Sequence, residues 1–425
     1  MDFSFSFDDF GTVSEDFEVV KTKKHDRGWK FGRGGSINSK PLLHERLIHF
    51  GALDGILYCF DPQTENYKWK FKTGDRICCA SPVAWENLII LPSYDFFVYA
   101  LKAETVEEVW RFNSGSEMIA TPAVFGDKIY VTARNGYLFE IDAKTGREVK
   151  RKGLGSELSS CPFIKEGRII VPSQDGNVYC LRVSDFTELW RFKTGNEIFS
   201  LLEMPEKDGI IVFSSMDSYL YAIRIFDGKE MWRFSTGKYG NTANSVIKDG
   251  IIYHGSRDGL FYALDFTSGK ELWRFRVNGT IGGSAIAAFY KDFIYIDGGG
   301  ELFCLDKNGN EIWRHSIEHN ISGSTPIFHR DRLYMGMWDC HLYCLDPETG
   351  NECYRIHTST TESSYIPPAN DAFEMRIKKH IEIEDDIVDE DDKYNSQNID
   401  VSSDVYSMKS EYAHKSEYSA SSEYR

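Results

Sequence analysis

The chain has 425 residues, 41% of them hydrophobic and 14% aromatic, enough for a substantial core in one large domain or a few ordinary ones. With 65 acidic against 49 basic residues the formal charge is −16, which argues against nucleic acid as a partner, since that binding relies on Lys and Arg neutralising phosphates. No window approaches 18 consecutive apolar residues, so no membrane-spanning helix is expected.

Residues 1–22 begin with an acid where a secretory signal would carry basic residues, and they hold no continuous apolar stretch. They are expected to be a flexible segment, although Phe3, Phe5, Phe7 and Phe10 alternate with polar residues as in a strand. A cytoplasmic location is expected, and there the nine cysteines should stay as thiols.

From residue 23 to 358 one pattern recurs. DGILYCFD (54–61), DFFVYALK (95–102), NGYLFEID (135–142), DGNVYCLR (175–182), DSYLYAIR (217–224), DGLFYALD (258–265), GELFCLD (300–306) and DCHLYCLD (339–346) are eight copies of one motif, with anchors Tyr58 to Tyr343 spaced 40–42 residues apart. A period of about 41 is the length of one four-stranded propeller blade. The prediction is therefore an all-β, eight-bladed β-propeller of four-stranded antiparallel blades.

The last strand of each unit carries a second marker, seen in Trp29, Trp69, Trp110, Trp190, Trp232, Trp273 and Trp313, with Lys150 and Tyr354 in the same register. A large ring on an outer strand is expected to dock on the neighbouring blade. Lys150 breaks the pattern, so its contact should be the weakest. Nine outer-strand signatures against eight inner motifs leave one strand over, and a ring closed by a terminal strand around Gly28-Trp29-Lys30-Phe31 accounts for it, with the terminus that supplies the outermost strand left open.

Most cysteines fall in small-residue positions. Cys59, Cys180, Cys304 and Cys344 share the slot of Ala100, Ala222 and Ala263, Cys161 precedes Pro162 as Ser81 precedes Pro82, and Cys353 takes the place of Leu189. Cys340 and Cys344, four residues apart on a strand, are too far apart to share a metal. Cys78-Cys79 in RICCASP stands between an outer strand and the next inner one, where two small residues would line the mouth of the channel.

The recurrence of Ala-x-Asp, a Thr/Ser-Gly-Lys turn and Trp, as in YALDFTSGKELWRF (262–275), resembles the pyrroloquinoline-quinone-like (PQQ-like) β-propeller repeat family over roughly residues 28–358. That family includes periplasmic quinoprotein alcohol dehydrogenases and non-catalytic propellers such as outer-membrane assembly lipoproteins and sensor domains, so the resemblance implies the fold without settling the activity. For the dehydrogenases it implies a vicinal disulfide beside the quinone, a calcium held by Glu, Asn and Asp, and an Asp base. Cys78-Cys79 matches the first of these in position, while no acid-rich insertion matches the rest.

A binding site is expected on the loops at one face of the channel. One set of loops presents Arg76, Glu117, Glu157, Glu197, Tyr239, Thr280 and Asn320 in one column, and a second contributes Tyr94, Arg134, Gln174, Met216, Arg257 and Trp338. No nucleophile elbow, phosphate-binding loop or zinc-protease spacing occurs, and His315 and His319 lack an acid cluster. The expected role is a non-catalytic scaffold that binds a protein, peptide or small ligand through this face and the C-terminal tail, with no cofactor or metal. The alternatives are a PQQ- and calcium-dependent oxidoreductase and a small-ligand sensor.

After a linker at 359–370, residues 371–425 hold 15 acidic and 7 basic residues, a net −8 that should keep them disordered. Their Ser-Glu-Tyr triplets repeat every six residues at Tyr412, Tyr418 and Tyr424, with Tyr406 one period earlier, which reads as a solvating tail or as a multivalent tyrosine motif.

Overall fold

In the computed structural model, the residues described are 35–199, 209–281, 287–298, 300–316 and 324–358. They form eight antiparallel sheets, at 42–72, 83–113, 123–153, 163–193, 210–235, 245–276, 288–316 and 327–357, called blades 1 to 8 here. Seven have four strands, and blade 5 has three among the described residues. Within each blade the strands follow chain order, and the first strands of blades 1, 2 and 3 adjoin one another around the centre of the ring. The predicted eight-bladed all-β propeller is the fold observed. Among the described residues no helix is long and apolar enough to cross a membrane.

The core lies between blades rather than inside a single layer. Ile90, Val98 and Trp110 of blade 2, for example, pack against Ile129, Phe139 and Ile141 of blade 3. Every fourth strand has a bulge at the same point, such as Ala100/Leu101 opposite Trp110 and Cys180/Leu181 opposite Trp190. The inserted residue is left unpaired and the strand bends there. That accounts for the exposed Val109, Leu189, Met231, Leu272 and Ile312, each just before a tryptophan.

The tryptophans dock as the spacing predicts. The indoles of Trp69, Trp110, Trp190, Trp232, Trp273 and Trp313 donate to the carbonyls of Ala103, Ala143, Ile225, Phe266, Lys307 and Pro347 on the next blade, at 2.8–3.1 Å. Trp29 lies outside the described residues. Under Trp110 sits Gly146 at φ +69°, where a Cβ would approach the ring to 2.6 Å, so this turn requires glycine on both counts.

Blade 3 makes this contact with polar groups in place of an indole. Lys150 Nζ donates to Val183 O at 2.7 Å, the carbonyl equivalent to the indole acceptors, and pairs with Glu140 at 2.8 Å. Glu140 stands in the small-residue slot, and the Nζ lies 4.6 Å from the ring centre of Phe186, which takes the glycine's place in the turn. Three coordinated changes thus replace the Trp/small/Gly set.

A second repeated bond ties the turns down. Tyr58, Tyr99, Tyr179, Tyr221, Tyr262 and Tyr343 donate through their hydroxyls to Asp54, Asp95, Asp175, Asp217, Asp258 and Asp339 at 2.5–2.7 Å. Asp95, Asp217 and Asp258 also accept the N–H of Gly74, Gly195 and Gly237 from the preceding blade. The turn aspartates are therefore structural.

The expected closing segment around Gly28-Trp29-Lys30-Phe31 cannot be placed from the described residues, which show the C-terminal side of the seam. The fourth strand of the last blade is Glu352–His357, supplied from the C-terminal side, and residues 28–31 lie outside the described residues. The seam is closed by Thr358 Oγ1 donating to Gly35 O at 2.6 Å, Ser36 Oγ to Trp338 O at 2.6 Å and Ile37 N to Met337 O at 2.9 Å. Ile37, Phe50 and Phe60 pack there against Ile327, Tyr334 and Leu342.

Candidate functional site

The two columns of loop residues meet on one face. Entering blades 2 to 5, the loop from the preceding fourth strand offers a carbonyl to the turn between the second and third strands of the blade it enters. Tyr94 N–H donates to Arg76 O at 3.1 Å, Arg134 to Glu117 at 3.1 Å, Gln174 to Glu157 at 3.1 Å and Met216 to Glu197 at 2.9 Å. These paired backbones make a continuous rim over blades 2 to 5, whose side chains are fixed in order around the channel mouth.

Both signs of charge occur along this rim. The Arg134 guanidinium forms an ion pair with Glu157 at 3.2 Å, Ser116 donates to Glu117 at 3.0 Å, and the Arg76 guanidinium lies 4.1 Å from the ring centre of Tyr94. Glu117, Glu157 and Glu197 are all half-buried, with Glu157 keeping 40% of its side chain exposed. An ion pair this exposed adds little stability, so the carboxylate can exchange its partner for one on a ligand at small cost.

The rim continues unevenly. Asn241 N–H reaches Ser215 O, the bond that Ile77 makes to Ala52 and Ile281 to Ser256, so the loop between blades 5 and 6 is one residue longer and Tyr239 stands one place upstream of its expected column. Lys238 lies over the Tyr239 ring, and Arg257 reaches the sulfur of Met216. Thr280 is exposed. Asn320 falls outside the described residues. Trp338 is only 6% exposed and belongs to the seam, so it offers little ring surface to a ligand.

The cysteine pair occupies a loop with its own insertion. Five residue steps separate Ile77 from Pro82, against four from Met118 to Pro122, and Cys79 takes up the difference at φ +64°, with Ala80 N–H donating to Cys78 O. Cys78 is 1% exposed and packs with Leu53, Tyr94 and Ile119, beneath the rim rather than lining it. Cys79 is half-buried, and the two sulfurs lie 3.1 Å apart, beyond a disulfide bond.

Sequence reading missed Asn38. Its Nδ2 donates to Cys78 Sγ at 3.3 Å and its Oδ1 accepts Cys79 N–H at 3.0 Å. The available signal was SINSKP (36–41), which repeats the loop pattern of EMIATP (117–122).

Among the described residues no three His, Cys, Asp or Glu side chains are grouped so as to hold a metal ion. The turn aspartates, the nearest carboxylates in number, are bound to tyrosines and backbone amides. His315 bonds to Gly350 O, and His319 and the tail tyrosines lie outside the described residues.

The comparisons agree on the architecture. The family model described as outer membrane protein assembly factor BamB matches residues 95–232 and 216–364. Among solved structures, a computationally designed protein, Ika8, is similar at 18% identity and a TM-score of 0.64, covering 73% of this chain and 96% of that one. BamB from Moraxella catarrhalis is similar at 16% identity and a TM-score of 0.60, covering 70% and 92%. At these identities the structures show the fold alone. No curated protein matches the chain. With the family model matched over more than half its length, the chain belongs to the PQQ-like, BamB-type β-propeller family.

Proposed function

We propose that this propeller is a non-catalytic, cytoplasmic scaffold that binds a protein or peptide at the channel mouth, with the C-terminal tail as a second contact. The observation that carries the reading is the rim itself, in which hydrogen-bonded loops hold Arg76, Glu117, Arg134, Glu157 and Glu197 in a fixed order on one face. Rigid placement lowers the ordering cost of binding. A rim with both signs of charge favours a partner segment that carries both basic and acidic side chains. The name of the matched family model describes an assembly factor, which supports a protein-binding role.

Affinity purification from the native host, with the full chain and with a chain ending at residue 370, tests the reading. Partners of the rim should be retained by both, and partners of the tyrosine repeat by the full chain only. Capture of nothing specific by either form contradicts it.

A further inference from the structure

Small size explains most cysteines of this chain but not Cys78-Cys79. Cys59, Cys180, Cys304 and Cys344 are buried on third strands, each opposite a ring of its fourth strand, Trp69, Trp190, Trp313 and Tyr354. A small apolar residue serves there. Cys78 and Cys79 instead bring two sulfurs to 3.1 Å, on a loop whose counterparts carry Ile119-Ala120 and Ser159-Ser160.

Neighbouring side chains of an extended segment point to opposite sides. The inserted residue undoes that here. Cys79 adopts φ +64°, uncommon for a residue other than glycine, and Ala80 N–H donates to Cys78 O at 2.7 Å, so the turn brings both sulfurs together. Asn38 then holds them. It is 4% exposed, and its Oδ1 accepts Cys79 N–H at 3.0 Å, which aims Nδ2 at Cys78 Sγ, at 3.3 Å, and at Cys79 Sγ, at 3.6 Å. An amide donor shared by two sulfurs complements thiolates, which accept hydrogen bonds better than thiols do. Cys78 is enclosed by Leu53, Tyr94 and Ile119, so a ligand reaches the pair past half-buried Cys79.

The spacing of the sulfurs selects the ligand. A tetrahedral zinc ion, with bonds of about 2.3 Å, holds its sulfurs about 3.8 Å apart and needs two further ligands. Among the described residues no three His, Cys, Asp or Glu side chains are grouped to provide such a set. A linear two-coordinate ion such as copper(I) needs the sulfurs on opposite sides of it. A trivalent arsenic centre takes two sulfurs at close to a right angle and completes its shell with an organic group or a hydroxyl, and sulfurs 3.1 Å apart have that bite.

We propose that Cys78 and Cys79 form a two-sulfur site for a trivalent arsenical. With an arsine oxide, the Cys79 thiol adds across the As=O bond, forming an S–As bond and an As–OH group. Cys78 Sγ then displaces the hydroxyl, which leaves as water with the Cys78 proton. Two S–H bonds and one As=O bond become two S–As bonds and one water, with no change of oxidation state and no further reactant. The second step is intramolecular, so the pair holds what a single thiol releases.

Phenylarsine oxide added to the full chain tests this, read by mass spectrometry of the intact protein. One phenylarsenic group per chain should survive excess mercaptoethanol, a monothiol, and be removed by dimercaptopropanol, a vicinal dithiol. Cys79→Gly suits the left-handed backbone and is expected to leave the fold, and so the melting temperature, intact. In this variant and in Cys78→Ala the monothiol should strip the adduct, a loss of about a hundredfold or more in affinity. Cys161→Ser, on a neighbouring loop, should retain it. Release from the unmodified chain by the monothiol, or a monothiol-resistant adduct in folded Cys79→Gly, overturns the proposal. Loss of the adduct in Cys161→Ser also overturns it, because the site then lies elsewhere.

Discussion

Two neighbouring blade contacts solve one problem in different ways. Between blades 2 and 3 the Trp110 indole covers Gly146, faces Ala100 in the small slot and donates to Ala143 O. Between blades 3 and 4 the Lys150 ammonium lies at Phe186, faces Glu140 and donates to Val183 O. What the two share is the donor to that carbonyl, since the bulk comes from the fourth strand in one and from the turn in the other. The difference is that the second holds a carboxylate, Glu140, that is 5% exposed and depends on its partner.

Breaking the apolar version should have the largest effect. Trp110→Ala opens a cavity between blades and leaves a buried carbonyl without its donor, costing about 3–5 kcal/mol, measurable by denaturant melting. The polar version should come next, with Lys150→Met costing about 2–3 kcal/mol, less than for a fully buried pair because Lys150 is partly exposed. Adding Glu140→Ala should recover most of that loss. If Lys150→Met alone is neutral, the ion pair is not what holds this contact.

A third polar group in this layer sharpens the comparison through pH. His49 sits opposite Cys59, in the position of Ile90 and Ile170, with its ring centre 5.3 Å from that of Trp69. Burial, aided by His44 and Lys68, lowers its pKa from 6.5 to about 3, and burial lowers that of His254 to about 4. The folded state holds both neutral while the unfolded chain takes up protons below pH 6.5. Their contribution is therefore complete above pH 6.5 and is lost as pH falls toward 4 and 3. His49→Ile should flatten the fall in melting temperature between pH 6.5 and 4, leaving the part due to His254; an unchanged slope contradicts this.

The period made the ring and the tryptophan docking legible in the sequence, because every blade repeats the same two anchors. The Lys150 contact was not legible, since its compensation is divided between Glu140 on its own blade and Phe186 on the next, and each looks like an isolated departure. The Asp–Tyr bonds were hidden for another reason: both residues stood in the quoted motif, but only the turn geometry brings the hydroxyl to the carboxylate. At the rim, spacing put Arg76, Tyr94, Arg134 and Glu157 on one face, and the contacts of Arg134 with Glu157 and of Arg76 with Tyr94 come from the structure. It misjudged Cys78 and Tyr239, each on a loop with one inserted residue, because an insertion shifts which side chain turns inward.

The rim carboxylates should matter least for stability, as partly exposed residues away from the packed layers typically cost under about 0.5 kcal/mol each. That makes Glu117→Gln/Glu157→Gln/Glu197→Gln the most direct measurement of the central claim, that the channel mouth is the binding face. Partner capture should be lost by this variant while its melting temperature stays close to that of the unmodified chain. Undiminished capture of the same partner by the folded variant would contradict the account.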